Sequence, residues 1–315
     1  MKKNNTFIYG DSGFIGSHLK KYLSSKQKIN LVSTKYKLKK KTNSENYYTD
    51  FWSKIISNSD TIVFLSFNND LENLKKNLSK SFYQNLVPLI ILNEVIKKKQ
   101  KKIKIIYSST ASLYGNNVKL PANENSKIEI NNIYEFLKHT SEQVLINSNN
   151  KYLNYQIIRL SNVYGKNISK LKQNNRQVLT KVINNAYLNK KISVFGTGNY
   201  FRDFIHVSDV CNAIYKIITK NNLNNEIFNI ASGKKIKLID IFKNIRSIIL
   251  KNYNFLVKIE KIKLKNINFD VSDIRNFQAS ISKSSKKFSW QPKITLNHGL
   301  NNLVNYVFSE KNKKY

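Results

Sequence analysis

Gly10, Gly13 and Gly16 stand directly behind the apolar run Thr6–Tyr9 and at the head of a helical pattern over Ile15–Leu23, in the string FIYGDSGFIGSHL. A strand, a tight turn and a helix in immediate succession satisfy that arrangement. Glycines at this spacing allow the turn itself, the close approach of a pyrophosphate to the backbone, and close packing of helix on strand. The helix N-terminus then offers unpaired N–H groups and a partial positive charge to the anion. Three of the chain's nine glycines fall here, and the strand before and helix after supply the context that the spacing alone lacks. The loop, with Phe14 and Ile15, is read as a dinucleotide-binding turn.

The rest of the chain extends the same rhythm. Short β-branched or aromatic runs recur at Ile29–Ser33, Thr61–Phe67, Ile103–Ser108 and Tyr155–Leu160, and the patterns Phe82–Lys97 and Ile133–Ile146 between them have helical spacing. Alternating strand and crossover helix specifies an α/β fold, a Rossmann doubly wound parallel sheet. Its strands, buried on both faces, need not alternate in polarity. After about Gly165 the rhythm loosens, with shorter strand candidates near Ile192–Phe195 and Ile227–Ile230. A dinucleotide-binding domain over 1–165 and a smaller mixed α/β C-terminal substrate domain over 166–315 are therefore expected, with segment 203–222 packing back onto the first.

Composition excludes several function classes. The formal net charge of +35 would ordinarily point to nucleic acid or an anionic membrane. Only five of the 54 basic residues are Arg, however, and Arg is the residue suited to forked contacts with phosphates and base edges. The lysine excess is read as a solvated surface with no nucleic-acid partner. One cysteine, Cys211, leaves no internal disulfide and no cysteine-based metal site. The N-terminal apolar stretch is too short and too broken for a secretory signal. The longest internal one, Leu86–Ile96, contains Pro88, Asn93 and Glu94, well short of the ~20 residues that span a bilayer. A cytoplasmic protein without membrane insertion is expected.

An acidic residue for the adenosine ribose is expected at the end of the second strand, but LVSTKYK offers Ser33, Thr34 and Lys35 instead. These supply hydroxyls and a cation for a 2′-phosphate, so NAD and NADP both stay open. Tyr134 and Lys138, in IYEFLKHTSEQ, are four apart on a predicted helix and share a face. A phenol of pKa ~10 is a poor base until a neighbouring ammonium stabilises the phenolate. In a chain with 18 tyrosines and 49 lysines that spacing carries little weight alone. Thr110 adds to it, because it closes the strand pattern of IIYSSTASLYG, where the ligand site of an open α/β sheet belongs.

With these residues in hand the chain resembles the extended short-chain dehydrogenase/reductase family, in its nucleotide-sugar epimerase/dehydratase branch. The likeness runs through GFIGSHL, RLSNVYG at Arg159–Gly165, FGTGNYFRDFIHVSDV at Phe195–Val210, FNIASG at Phe228–Gly233 and FSWQPKITLNHGL. The resemblance implies that Thr110, Tyr134 and Lys138 form the catalytic set, the last two also touching the cofactor. It implies an adenine contact at Asp50 and Phe51, a cofactor position at Asn85, and contacts from Asn162, Arg202 and Asp273 to the nucleotide-sugar substrate. Asp270 stands where many members carry a diphosphate-binding Arg, and nearby Arg275 is the candidate substitute. A homodimer through the helices near Phe82–Lys97 and Ile133–Ile146 is also implied.

Dehydratases of this branch carry an Asp and a Glu just after the Thr; here Ala111 and Ser112 stand there. Dehydration and decarboxylation are thereby disfavoured. Two reactions need only Thr110, Tyr134 and Lys138: 4-epimerisation of a nucleotide sugar by transient oxidation, and reduction of a 4-keto nucleotide sugar by NADPH. The first is preferred and the second is the alternative. A non-catalytic dinucleotide-binding scaffold is the third.

Overall fold

The computed structural model describes residues 3–33, 44–169, 177–263 and 275–312. Its centre is a six-stranded sheet, all of whose pairings are parallel. In chain order these strands are β1 (Asn4–Tyr9), β2 (Ile29–Leu31), β3 (Thr61–Phe64), β4 (Ile103–Thr110), β5 (Leu153–Leu160) and, after an interval, β10 (Glu226–Ile230). The spatial order is β10-β5-β4-β3-β1-β2. β1 therefore sits between its two successors, and the chain reverses direction across the sheet beside it. A crevice at the carboxyl ends of the strands opens at that kind of point.

Period two decides which side chain goes to which face. Ile8, Val63, Ile106 and Ile158 enter a core shared with α1 (Phe14–Ser24) and α7 (Val207–Thr219). Their neighbours Phe7, Tyr9, Ile62, Phe64, Ile105, Tyr107 and Ile157 enter the opposite core, under α2 (Glu45–Asn58), α4 (Leu78–Lys99) and α5 (Ile133–Ile146). Each fully buried Ile or Phe contributes about 1.5–3 kcal/mol, so both faces of the sheet are held by apolar burial. α7 packs on α1.

Ile227–Ile230 corrects one reading. It was assigned to the second unit, yet it lies within β10 and completes the main sheet by pairing with β5. Its apolar Phe228 and Ile230 share a core with Phe288 of α9 (Ser282–Phe288), and Ile227 packs on the opposite core. A third core gathers α6 (Val178–Asn189), α8 (Leu238–Tyr253), α10 (Leu296–Asn312) and β7 (Lys191–Phe195), the last paired with β12 (Lys258–Ile262). Two further small pairs join β6 (Asn162–Tyr164) to β9 (Phe204–His206) and β8 (Phe201–Arg202) to β11 (Ile236–Lys237). Asp203, fully buried, accepts hydrogen bonds from Ser161 Oγ, the Ser232 amide and hydroxyl, and the amides of Gly233 and Ala279. The RDFIHV string is thus a knot in the backbone, and burial pushes the Asp203 carboxyl upward against those donors.

Some of the lysines have structural work. Lys101 Nζ donates to the carbonyls of Ile56 and Ser57 at the end of α2, Lys104 Nζ to those of Ile217, Ile218 and Lys220 at the end of α7, and Lys216 Nζ to those of Phe288 and Ser289 at the end of α9. Cations on terminal carbonyls answer the negative end of the helix dipole. In a chain this poor in glycine, lysines at those carbonyls do what a glycine-based cap does elsewhere.

Candidate active site

The glycine turn shows why Gly10 and Gly16 have to be glycine. Gly10 has φ +97°, and a Cβ there would come within 2.7 Å of the Ser66 amide nitrogen; at Gly16 a Cβ would meet the Gly10 carbonyl oxygen at 2.0 Å. Both positions are closed to any side chain by backbone. Gly13 differs: it is the N-cap of α1, makes no side-chain cap, and a Cβ there meets only the Gly10 carbonyl oxygen at 3.4 Å. The first N–H groups of α1 consequently face open space, as the pyrophosphate of a dinucleotide requires. These residues fit a dinucleotide.

The cleft above the carboxyl edge has a volume of about 1090 Å³. Gly10, Gly13, Phe14, Ile15, Gly16, Asn85, Thr110, Tyr134, Lys138, Asn162 and Arg275 all line it. Thr110 is the last residue of β4 and caps the short turn Ala111–Tyr114, its Oγ1 accepting from the Ser112 amide and donating to Ser112 Oγ at 3.0 Å. Tyr134 and Lys138 come from the first turns of α5, whose N-cap Asn132 accepts from the Glu135 amide. The Tyr134 phenol stands beside Thr110 across the strand–helix junction. Burial pushes its acidity down, while the Thr110 hydroxyl and the Arg275 cation work against that.

Lys138 is 4% exposed. Its Nζ donates to the Ser108 carbonyl at 2.6 Å and lies 3.8 Å from the Phe67 ring centre. Burial lowers its pKa to about 7, opposed only in part by Glu142. A lysine depressed in the folded state below its ordinary value of ~10.4 binds fewer protons than in the unfolded chain between those two values. Its cost to stability is full below about pH 7 and disappears as pH rises towards 10. Lys138→Met should therefore stabilise the protein against urea by a few kcal/mol at pH 6 and by little near pH 10. A difference independent of pH would reject the depressed lysine.

Other expected site residues are not brought to the cleft. Asp50 and Phe51 fall within α2, a helix the sequence reading did not foresee. Asp50 is exposed, and Phe51 packs on Tyr9 and Trp52 with ring centres 6.0 and 4.8 Å away. The aromatic run YYTDFW buries on one helical face in preference to forming a strand edge. Ser33 follows β2, exposed and outside the cleft lining. Arg202 is 7% exposed on β8, where its guanidinium donates to the Phe201 carbonyl, and it also stands outside the lining. Asn85 lies inside α4 rather than before it, and its amide braces the loop after β3 by accepting from the Asn68 N–H and donating to the Ser81 carbonyl. Lys35 and Asp273, with Thr34 and Asp270, lie outside the described residues.

Tyr48, Phe67, Lys80, Ser112 and Glu135 also line the cleft, and the sequence reading named none of them as site residues. Tyr48 is carried there by the unforeseen helix. Glu135 stands three residues after Asn132, which the structure makes the N-cap of α5, and that pattern ordinarily marks a capping box.

The chain is similar to known proteins along most of its length. A family model described as "NAD dependent epimerase/dehydratase family" matches residues 6–231. A protein of Methanocaldococcus jannaschii, provisionally named UDP-glucose 4-epimerase, is 26% identical over 95% of this chain and 97% of its own length. Among solved structures, the UDP-glucose 4-epimerase of Thermotoga maritima with UDP-glucose has a TM-score of 0.77 at 24% identity, covering 98% of this chain and 99% of that one. RMD of Pseudomonas aeruginosa complexed with NADPH has a TM-score of 0.81 at 18% identity, covering 98% and 100%. At those identities the structural likeness establishes the fold.

Proposed function

Since the chain belongs to the NAD dependent epimerase/dehydratase family, we propose that it is an NAD(P)-dependent nucleotide-sugar 4-epimerase, acting by transient oxidation of a sugar hydroxyl and return of the hydride. The observation that carries the reading is the junction of β4 and α5. There Thr110 and Tyr134 stand side by side, and Lys138 lies one turn further along, all on the wall of one cleft. Tyr134 takes the proton of the sugar hydroxyl and later returns it. Thr110 holds that hydroxyl in place, and Lys138 supplies positive charge to the phenolate. The glycine turn holds the dinucleotide, which supplies hydride acceptance and donation when bound. Asn162 and Arg275 face the substrate part of the cleft, and Ala111 and Ser112 offer no carboxylate for eliminating water.

One observation favours the alternative, a reductase of 4-keto nucleotide sugars using NADPH. Among the described residues lining the cleft the one carboxylate is Glu135, and it is paired with Arg275. None remains to hold an unphosphorylated adenosine ribose, and a solved structural neighbour was captured with NADPH. Denaturing the purified protein and identifying the released dinucleotide separates the two. Retained NAD supports the epimerase; an empty protein that consumes NADPH with a 4-keto nucleotide sugar supports the reductase. A protein that binds neither dinucleotide overturns both.

The same reading includes a homodimer. On the outer faces of α4 and α5, Phe82 and Phe136 are 36% and 42% exposed with ring centres 5.9 Å apart, and Leu78 is 51% exposed. Sedimentation equilibrium at micromolar concentration should give twice the chain mass, and Phe82→Asp with Phe136→Asp should give the single mass with turnover per site retained. No described helix is long and apolar enough to cross a membrane. Absence of salt-dependent binding to nucleic acid is expected as well.

A further inference from the structure

Phe67 follows β3 on the loop beside the cleft, half-buried, and lines the wall that Tyr134 and Lys138 share. Its ring touches both members of the pair. Lys138 Nζ lies over its face, 3.8 Å from the ring centre, and Tyr134 meets it at 5.6 Å with the two rings 86° apart. The ring packs against the buried cluster of Leu74, Leu86 and Leu137, which fixes it in place.

An ammonium carries three N–H donors. Among the described residues Lys138 Nζ has one hydrogen-bond acceptor, the Ser108 carbonyl at 2.6 Å. Two aromatic rings lie beside it instead of water, Phe67 at 3.8 Å and Tyr107 at 5.0 Å. The fixed charges around it offset only part of its burial. Glu142, one turn on along α5, favours the charged form, but its carboxylate is taken up by Arg159 of β5 and Ser109 of β4. Tyr107 of β4 and Tyr134 are phenols whose pKa burial raises. α3 (Leu71–Lys76) and α4 bring Leu74 and Leu86 to the cluster, while Lys80 of α4 and the Glu135–Arg275 pair line the same cleft.

The quadrupole of an aromatic face attracts a cation, and most strongly where both are out of water. A leucine at the same place would cover the ammonium and give none of that attraction. We propose that Phe67 is a positioning residue for the Tyr134–Lys138 pair: its ring face replaces the lost hydration of the Lys138 ammonium and keeps it cationic against the Ser108 carbonyl, beside the phenol. What this means for turnover rests on the redox reading of the pair. The effect on the charge of Lys138 does not.

The test is urea unfolding as a function of pH, with Lys138→Met made in wild type, in Phe67→Leu and in Phe67→Tyr. The stability difference between each protein and its Lys138→Met partner has a pH-dependent part. That part is constant below the folded-state pKa of Lys138 and falls as pH rises above it towards ~10.4. The pH at which the fall begins should move down by about one unit in Phe67→Leu, the size of a desolvated cation–π contact. Phe67→Tyr, which keeps a ring face, should restore the wild-type position. Lost packing alone lowers stability alike at every pH and leaves that position unmoved. Phe67→Met takes the place of Phe67→Leu should the latter fold poorly. An unchanged position in the apolar variant overturns the proposal, and so does an upward shift, which would make the ring a plug against water and nothing more. The same variants are then assayed with UDP-glucose in saturating NAD, where the alkaline limb of kcat should move down in step, with KM within about twofold. A shifted Lys138 with an unmoved kcat profile would overturn the redox reading of the pair, and with it any part for Phe67 in turnover.

Discussion

Tyr134→Phe is expected to lower kcat by about 10²–10⁴-fold while dinucleotide binding and thermal stability stay near wild type. The substitution removes one oxygen. The ring keeps its edge-on contact with Phe67, at 5.6 Å between centres, so the α5 start retains its packing. Thr110 keeps its bonds with Ser112. What is lost is the phenol beside Thr110 that, in the proposed mechanism, accepts the proton as hydride leaves the carbon. Steady-state turnover of a nucleotide sugar, with reduction of the bound dinucleotide followed in a single turnover, gives the readout. A kcat within about threefold of wild type would end the assignment of Tyr134 as base.

The largest loss of stability is expected from Arg159→Met, about 3–5 kcal/mol. Arg159 on β5 and Glu142 on α5 are buried, with side chains 5% and 0% exposed, and meet in a fork: Nε to Oε1 at 3.0 Å and NH2 to Oε2 at 2.7 Å. Ser109 Oγ donates to Oε1 at 2.5 Å, and Arg159 NH1 reaches the Tyr114 hydroxyl, which donates to Asn229 on β10. Losing the guanidinium strands a carboxylate in the core, and that desolvation cost dominates. Glu142→Met in the same chain should recover most of the loss, because two apolar side chains leave no uncompensated charge. Urea unfolding measures both. A loss below about 1 kcal/mol in Arg159→Met would show that water reaches the pair. The network also matters for the site: it ties α5 to β4 one turn beyond Lys138, so a fold weakened there should lose the alignment of Tyr134 with Thr110 first.

The two predictions mark where the sequence was and was not legible. α1 and α5 could be read closely, because a glycine turn and a four-residue spacing are local patterns with one periodicity. The strands of the main sheet were visible as apolar runs. β3 proved shorter than its run: Leu65 and Ser66 both send their N–H groups to the Tyr9 carbonyl and leave the ladder. α2 was missed because Tyr47, Tyr48, Phe51 and Trp52 favour strand by propensity, and only the core under α4 makes a helix the better way to bury them. β10 was misassigned for a like reason, since the choice of sheet is made by long-range pairing with β5.

What the sequence by itself determined was the doubly wound class and the glycine turn, which rest on local spacing; the trio Thr110, Tyr134 and Lys138 was implied by a family resemblance, and the fold brings all three to one cleft. Tertiary structure alone decided which charges are spent inside the fold and which face the cleft. Asp203 serves the backbone, Arg159 answers Glu142, three lysines close helix ends, and Glu135 meets Arg275 140 residues further along. The reason is physical: a charged side chain can be buried only where a partner offsets its desolvation, and that partner comes from a distant part of the chain.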